Sequence, residues 1–342
     1  MTVQPVSFHK KSAYSTRIAR RGAVHPSDGP AQRRRDPVVN TIGSEKAVFE
    51  QQLFNGLTLG LIYALIAVGY TMVYGVIELI NFAHGEVYML GAFLCITFIQ
   101  ALGIPLFPAM ALAMACCAAI GMLIDRIAYK PLRKAPRLAA LITAIGLSIF
   151  LQNIAMIIWG SRPVPFVRTA VPAAFSETAF TLGSVNVSGL QVFIYALTIA
   201  MMIGLTLIIN KTKVGTAMRA LAQNATAAAL MGINVDRVIS FTFALGSSLG
   251  AVAGILVGMY YNTLSATMGY NAGVKAFAAA VLGGIGSVPG AMLGGVVLGV
   301  AETLGAGYVS SQYRDGLGYA VMIAVILLRP SGLLGKSVAQ KA

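Results

Sequence analysis

From residue 49 onward the chain alternates long apolar runs with short polar connections. A hydrocarbon core needs roughly 20 apolar residues per helix. Runs of that order occur at about 53–76, 86–102, 105–125, 138–159, 190–209, 238–261, 291–309 and 315–329. The pattern predicts an all-α, polytopic membrane bundle of about eight spans plus short re-entrant segments. A further apolar piece at 273–283 is too short to cross, and the last span is also short.

One run is interrupted. Between Leu53 and Leu94 the pattern breaks into Glu78-Leu-Ile-Asn81-Phe-Ala-His84-Gly-Glu86 and then turns apolar again. Ionisable groups facing lipid cost several kcal/mol, so they are expected to face protein or a water-filled path. Broken backbone at that depth is tolerated only where it is buried in protein or lines a cavity. The break predicts a re-entrant, pathway-lining segment; the competing reading is a loop at the bilayer surface. The second half holds a partial echo. Asn271-Ala-Gly-Val-Lys275 precedes the short apolar piece, and Gly283-Gly-Ile-Gly286-Ser-Val-Pro289-Gly290 interrupts it. Short, Gly/Pro-broken segments in both halves point to a midplane path, whereas ordinary small-residue helix packing gives the same look. The candidates for a polar network along the path are Glu78, Asn81, His84, Glu86, Lys275 and Glu302, with Lys275 neutralising one of the acids.

Composition fits a membrane protein: 57% hydrophobic, only 11% charged, with 37 Gly. The formal charge of +14 does not mark a nucleic-acid partner, because of where it lies. Nine of the 25 Lys and Arg precede Val48, and nine more sit in the connections 126–137 and 211–237. Basic short loops are expected on the cytoplasmic side, which leaves the longer 160–189 connection on the other. Parity then fails at the N-terminus: a basic tail argues for a cytoplasmic start, yet three apolar segments separate it from Arg126–Arg137. Either one segment does not fully cross, or the tail does not control orientation. Residues 1–48, with four prolines and no apolar run, read as a disordered tail or a start assigned too far upstream. Residues 49–336 read as the membrane-spanning domain and 337–342 as a short C-terminal tail.

Several chemistries are not encoded. Cys95, Cys116 and Cys117 lie in apolar runs without metal or redox spacing, and His84 is the one histidine outside the tail. No metal site and no cofactor is expected. Gly283–Gly290 lacks the dinucleotide pattern. Gly332-Leu-Leu-Gly335-Lys336-Ser337 ends like a phosphate-binding loop, but Pro330 stands where the first glycine belongs. Energy from ATP would have to come from another chain. The chain is therefore not expected to be an enzyme.

The connection 211–237 carries a different signal. Gly215 to Asn234 reads as one short helix, with Thr216 able to cap its start and Gly232 suited to the left-handed position after its end. Met218, Leu221, Ala225 and Ala228 give it one narrow apolar face. Such a helix fits the groove of a soluble partner, or lies on its own subunit or the lipid interface.

Several ordered blocks carry a resemblance. Asn55-Gly-Leu-Thr-Leu-Gly60, Gly69-Tyr-Thr-Met-Val-Tyr-Gly75, Ile80-Asn-Phe-Ala-His-Gly-Glu86 and Tyr129-Lys-Pro-Leu-Arg133 are four of them. Leu141 to Asn153 and Ala278 to Ser287 are two more. Over residues 49–336 the chain resembles the LivH/BraD-type permeases of branched-chain amino acid ABC importers. The resemblance implies the translocating subunit of an inner-membrane, multi-pass importer. Its partners would be a second related permease, two cytoplasmic ATPase subunits, a periplasmic amino-acid-binding protein and membrane lipid. It also implies that Gly215–Asn234 contacts an ATPase, with Gly215, Arg219, Ala220, Leu221, Ala228 and Gly232 as the coupling residues. The alternatives are a urea or short-chain amide permease of the same type and, from a different class, an ion-coupled secondary transporter.

Overall fold

The computed structural model describes residues 37–133, 135–166, 171–329 and 331–335; the rest of the predicted N-terminal tail, residues 1–36, and the tail 337–342 lie outside the described residues. Residues 43–342 form one compact unit. Eleven α-helices make it up among the described residues: α1 (Pro37–Ile77), α2 (His84–Leu102), α3 (Leu106–Ile124), α4 (Arg137–Trp159), α5 (Gly189–Lys211), α6 (Lys213–Gln223), α7 (Ala225–Leu230), α8 (Val235–Tyr261), α9 (Met268–Gly283), α10 (Val288–Tyr308) and α11 (Arg314–Leu328). One antiparallel hairpin, β1 (Thr178–Leu182) and β2 (Val185–Ser188), precedes α5.

Among the described residues, seven helices are long and apolar enough to cross a membrane: α1 to α5, α8 and α10. The eighth expected span is α11, whose 15 residues cover only about 22 Å. The centre of the bundle is α1, α2 and α8, which are largely buried, while α4 and α5 expose most of their length. Without water to drive helices together, close backbone approach has to do it. A β-carbon on Gly299 of α10 would collide with the backbone of Gly60 on α1, and one on Gly91 of α2 with Ala251 of α8.

The contacts of Glu50 and Gln51 in α1 bear on the parity problem. The Ser184 hydroxyl donates to Glu50 Oε2 (2.5 Å), and the Asn186 amide donates to Gln51 Oε1 (3.0 Å). Glu50 and Gln51 of α1 therefore lie at the hairpin end of the bundle. The end of α1, Val76 and Ile77, shares a groove with Arg133, Val235 and Ile239 at the basic end. Three helices, α1 to α3, lead from the hairpin end to the connection that holds Arg133.

Candidate functional site

The interrupted run folds back on itself. Glu78 takes a left-handed backbone (φ 54°) after the last turn of α1, its N–H still donating to the Tyr74 carbonyl at 2.8 Å. Residues 78–83 then run back alongside α1. A β-carbon on Gly69 would collide with the His84 imidazole. Gly69 lies eight residues before the α1 end, so α2 starts about 12 Å inside the bundle. Glu78 stays exposed at the basic end, in a groove of about 420 Å³ with Arg133, Leu221 and Ala225.

The other three candidates of this segment are buried. Asn81 accepts a hydrogen bond from the Tyr129 hydroxyl at 3.0 Å. Tyr129 closes a π-helical turn, Asp125–Tyr129, that follows α3. His84 meets the ring of Tyr70 edge-on, with centroids 4.8 Å apart. Glu86 is fully buried and accepts from the Ser148 hydroxyl of α4 at 2.9 Å. His84 Nε2, Glu86 Oε2 and the Tyr70 hydroxyl make no hydrogen bond among the described residues. Beside them is a cavity of about 300 Å³ lined by Tyr70, Phe82, Ser148, Ile149, Gln152 and Tyr270. Most of its wall is apolar, with a few converging polar groups, the composition of a small-molecule site.

Lys275 and Glu302 do not join that group. They lie on the other side of α9, which separates two cavities: Tyr270, Gly273 and Val274 face the first, while Asn271, Ala272 and Lys275 face a second of about 330 Å³. Lys275 Nζ lies 2.8 Å from Glu302 Oε1 and 2.7 Å from Asp315 Oδ1, and it donates to the Tyr63 hydroxyl at 3.3 Å. Arg314 Nε lies 2.7 Å from the same Glu302 oxygen, and its Nη2 donates to the Tyr261 hydroxyl at 2.8 Å. Of the candidate acids, the one that Lys275 neutralises is thus Glu302, and Lys275 pairs with Asp315 as well. Arg314 and Asp315 were missed by sequence reasoning, because at the edge of an apolar run they look like flanking charges.

At the basic end the expected single helix is two. Thr212, not Thr216, caps α6 by accepting from Gly215 N at 3.0 Å, and Asn224 caps α7 by accepting from Ala227 N at 2.9 Å. Gly232 follows in the left-handed region (φ 82°), as its position predicts. Met218, Leu221 and Ala228 are buried within the chain, Ala220 is half-buried and Ala225 is exposed. Gly215 abuts the Ile208 and Ile209 carbonyls. The Arg219 guanidinium donates to the Ile209 carbonyl, and to Thr216 Oγ1 at 3.3 Å. Three of the four residues of the narrow apolar face are therefore spent on the chain's own fold. What points outward is Leu230 and Met231, which are 84% and 83% exposed.

An ion cluster anchors the following helix. Fully buried Asp125 lies 2.7 Å from Arg133 Nη2 and accepts from the Ser240 hydroxyl at 2.5 Å. Asp236, at the start of α8, lies 2.5 Å from Arg133 Nη1 and 2.8 Å from Lys130 Nζ. These contacts bind the π-helical turn after α3 to the helix that leaves α7.

Comparison with known proteins places these features in context. Residues 52–326 match the family model described as branched-chain amino acid transport system / permease component. The chain is 47% identical over 299 residues to the high-affinity branched-chain amino acid transport system permease protein BraD of Pseudomonas aeruginosa; the match covers 85% of this chain and 97% of BraD. It is 46% identical over 306 residues to LivH of Escherichia coli strain K12, covering 86% and 97% of the two chains. A probable branched-chain amino acid transport permease protein LivH of Methanocaldococcus jannaschii is 29% identical over 79% of this chain and 88% of its own length.

Proposed function

The chain belongs to the branched-chain amino acid transport permease family, and from that premise we propose that it carries leucine, isoleucine and valine across the cell inner membrane as one permease subunit of an ATP-driven importer. The observation that carries this reading is the identity of 46–47% over 97% of the relatives' length. Its multi-pass helical architecture suits that role. The remaining parts are a second related permease, two ATPase subunits on the cytoplasmic side and a soluble amino-acid-binding protein on the periplasmic side.

In this reading Asn81, His84 and Glu86 shape the path where α2 begins inside the bundle, and Lys275 and Glu302 line the second cavity across α9. Glu78 sits at the cytoplasmic mouth. The segment from Gly215 to Gly232 receives the ATPase, with Leu230 and Met231 as the apolar contact and Arg219, Ala220, Leu221 and Ala228 holding the fold that presents it. Because ATP closure and opening drive the cycle from another chain, the buried acids need not carry protons. ATP binding shifts the permease between two forms only through contacts that differ between them.

Reconstitution with and without the co-purifying subunits tests the reading. ATP-dependent uptake of leucine, isoleucine and valine, absent without the ATPase subunits, is the expected result. Uptake by the chain alone would make it a secondary transporter, and urea uptake without leucine uptake would change the substrate.

A further inference from the structure

We infer that the second cavity, between α1, α8, α9, α10 and the start of α11, is a binding site for the zwitterionic headgroup of an α-amino acid. The inference rests on the importer reading above and deepens it, since nothing in that reading says where or how the permease holds its substrate.

Four charged side chains form the site in graded order of exposure. Glu302 and Lys275 lie at the floor, 1% and 13% exposed; Arg314 and Asp315 lie at the mouth, 32% and 60% exposed. Two cations and two carboxylates sum to zero. In a low-dielectric setting a lone anion or cation entering the cavity would leave an uncompensated charge, which is costly. A molecule bearing one charge of each sign exchanges partners with the network and leaves its sum unchanged.

The open valences match. Glu302 Oε2 is buried and makes no hydrogen bond among the described residues, so it can accept from an ammonium group. The Arg314 guanidinium, now on Tyr261, offers the paired N–H donors that suit a carboxylate. The rings of Tyr63 and Tyr261 already face cationic groups, with Lys275 Nζ and Arg314 Cζ each 5.8 Å from a ring centroid. Leu59, Val257 and Met268 supply an apolar wall for an aliphatic side chain. The volume, about 330 Å³, stands at the lower end of the range for small-molecule sites, roughly 300–1,000 Å³. The location also fits: Tyr261 ends α8, whose other end lies among the basic connections, so the cavity opens toward the hairpin end, where substrate would arrive.

The test uses the assembled importer in nanodiscs of phosphatidylglycerol, so that no zwitterionic lipid headgroup competes. Saturation-transfer NMR without the binding protein reads weak contact with leucine, with 4-methylpentanoate, which lacks the ammonium, and with 3-methylbutylamine, which lacks the carboxylate. The expected result is a leucine signal well above both analogues. Glu302→Gln should weaken it about tenfold, the worth of one charged hydrogen bond. Asp315→Asn, at the exposed mouth, should weaken it less. Size-exclusion profiles confirm that each variant is assembled, and the comparison of ligands on the unaltered protein needs no variant. Equal signals from all three ligands, no loss in Glu302→Gln, or no leucine signal from an importer that takes up leucine would overturn the site. An unaltered importer with no leucine uptake would instead overturn the function on which the site rests.

Discussion

Glu86 and Glu302 are both buried glutamates within membrane-length helices, and they flank the same short helix, α9. The bundle treats them differently. Glu302 has Lys275 at 2.8 Å and Arg314 at 2.7 Å. Glu86 has one hydroxyl, Ser148 at 2.9 Å, with its second oxygen against Gly269 and no hydrogen bond among the described residues. One carboxylate is held by opposite charge and bridges three helices. The other is held by a single neutral donor beside a cavity. Buried charge is thus ion-paired on one side of α9 and held by a neutral donor on the other, while each carboxylate keeps one oxygen without a hydrogen bond among the described residues.

That contrast breaks most visibly at the paired site. Lys275→Met should destabilise the assembled protein by about 3 kcal/mol or more, because it strips one partner from a buried pair. The measurement is the fraction of importer surviving in size-exclusion profiles after graded heating. Adding Glu302→Leu should recover part of the loss, since an apolar replacement of a buried pair is often neutral. No recovery in the double variant would mean that Arg314 and Asp315 depend on Glu302 more than Lys275 does.

On the other side, Ser148→Ala removes the donor of Glu86 and should cost about 1–3 kcal/mol, the penalty for an acceptor left unsatisfied. The same heating profiles read it. A loss equal to that of Lys275→Met would erase the distinction between the two sites. Tyr129→Phe should cost less, about 1 kcal/mol, because it deletes one neutral hydrogen bond to Asn81. A loss above that of Ser148→Ala would mean that the π-helical turn, not the α2 start, holds the break in place.

Much of this arrangement was legible in the apolar pattern, and what was not has physical reasons. The spans follow from run length because lipid forces every backbone group into a helix. The break at Glu78–Glu86 announced itself by cost. Its depth did not, because the chain doubles back through a left-handed Glu78, where no glycine marks the turn. The single helix expected over Gly215–Asn234 failed at Asn224, whose side chain caps the following turn and competes with the helix backbone. Apolar spacing is blind to that. Lys275 and Glu302, 27 residues apart on different helices, could be nominated from their burial cost but not paired, since pairing depends on how each helix is rotated in the bundle.

The smallest stability effect is the sharpest probe of Glu86. Glu86→Gln keeps the size of the side chain and an oxygen for the Ser148 hydroxyl, and it removes a charge that has no cation beside it. Replacing an unpaired carboxylate by an amide in an apolar setting removes a desolvation penalty, so the heating profile should match or exceed that of the unaltered protein. Lys275→Met at the paired site has no such compensation. If Glu86 shapes the path, uptake by this variant should nevertheless fall, and stability and transport would part company at one residue. Unchanged uptake with unchanged stability would remove Glu86 from the path. A stability loss above about 1 kcal/mol would show that the carboxylate is held by more than Ser148, and the contrast with Glu302 would then be one of degree.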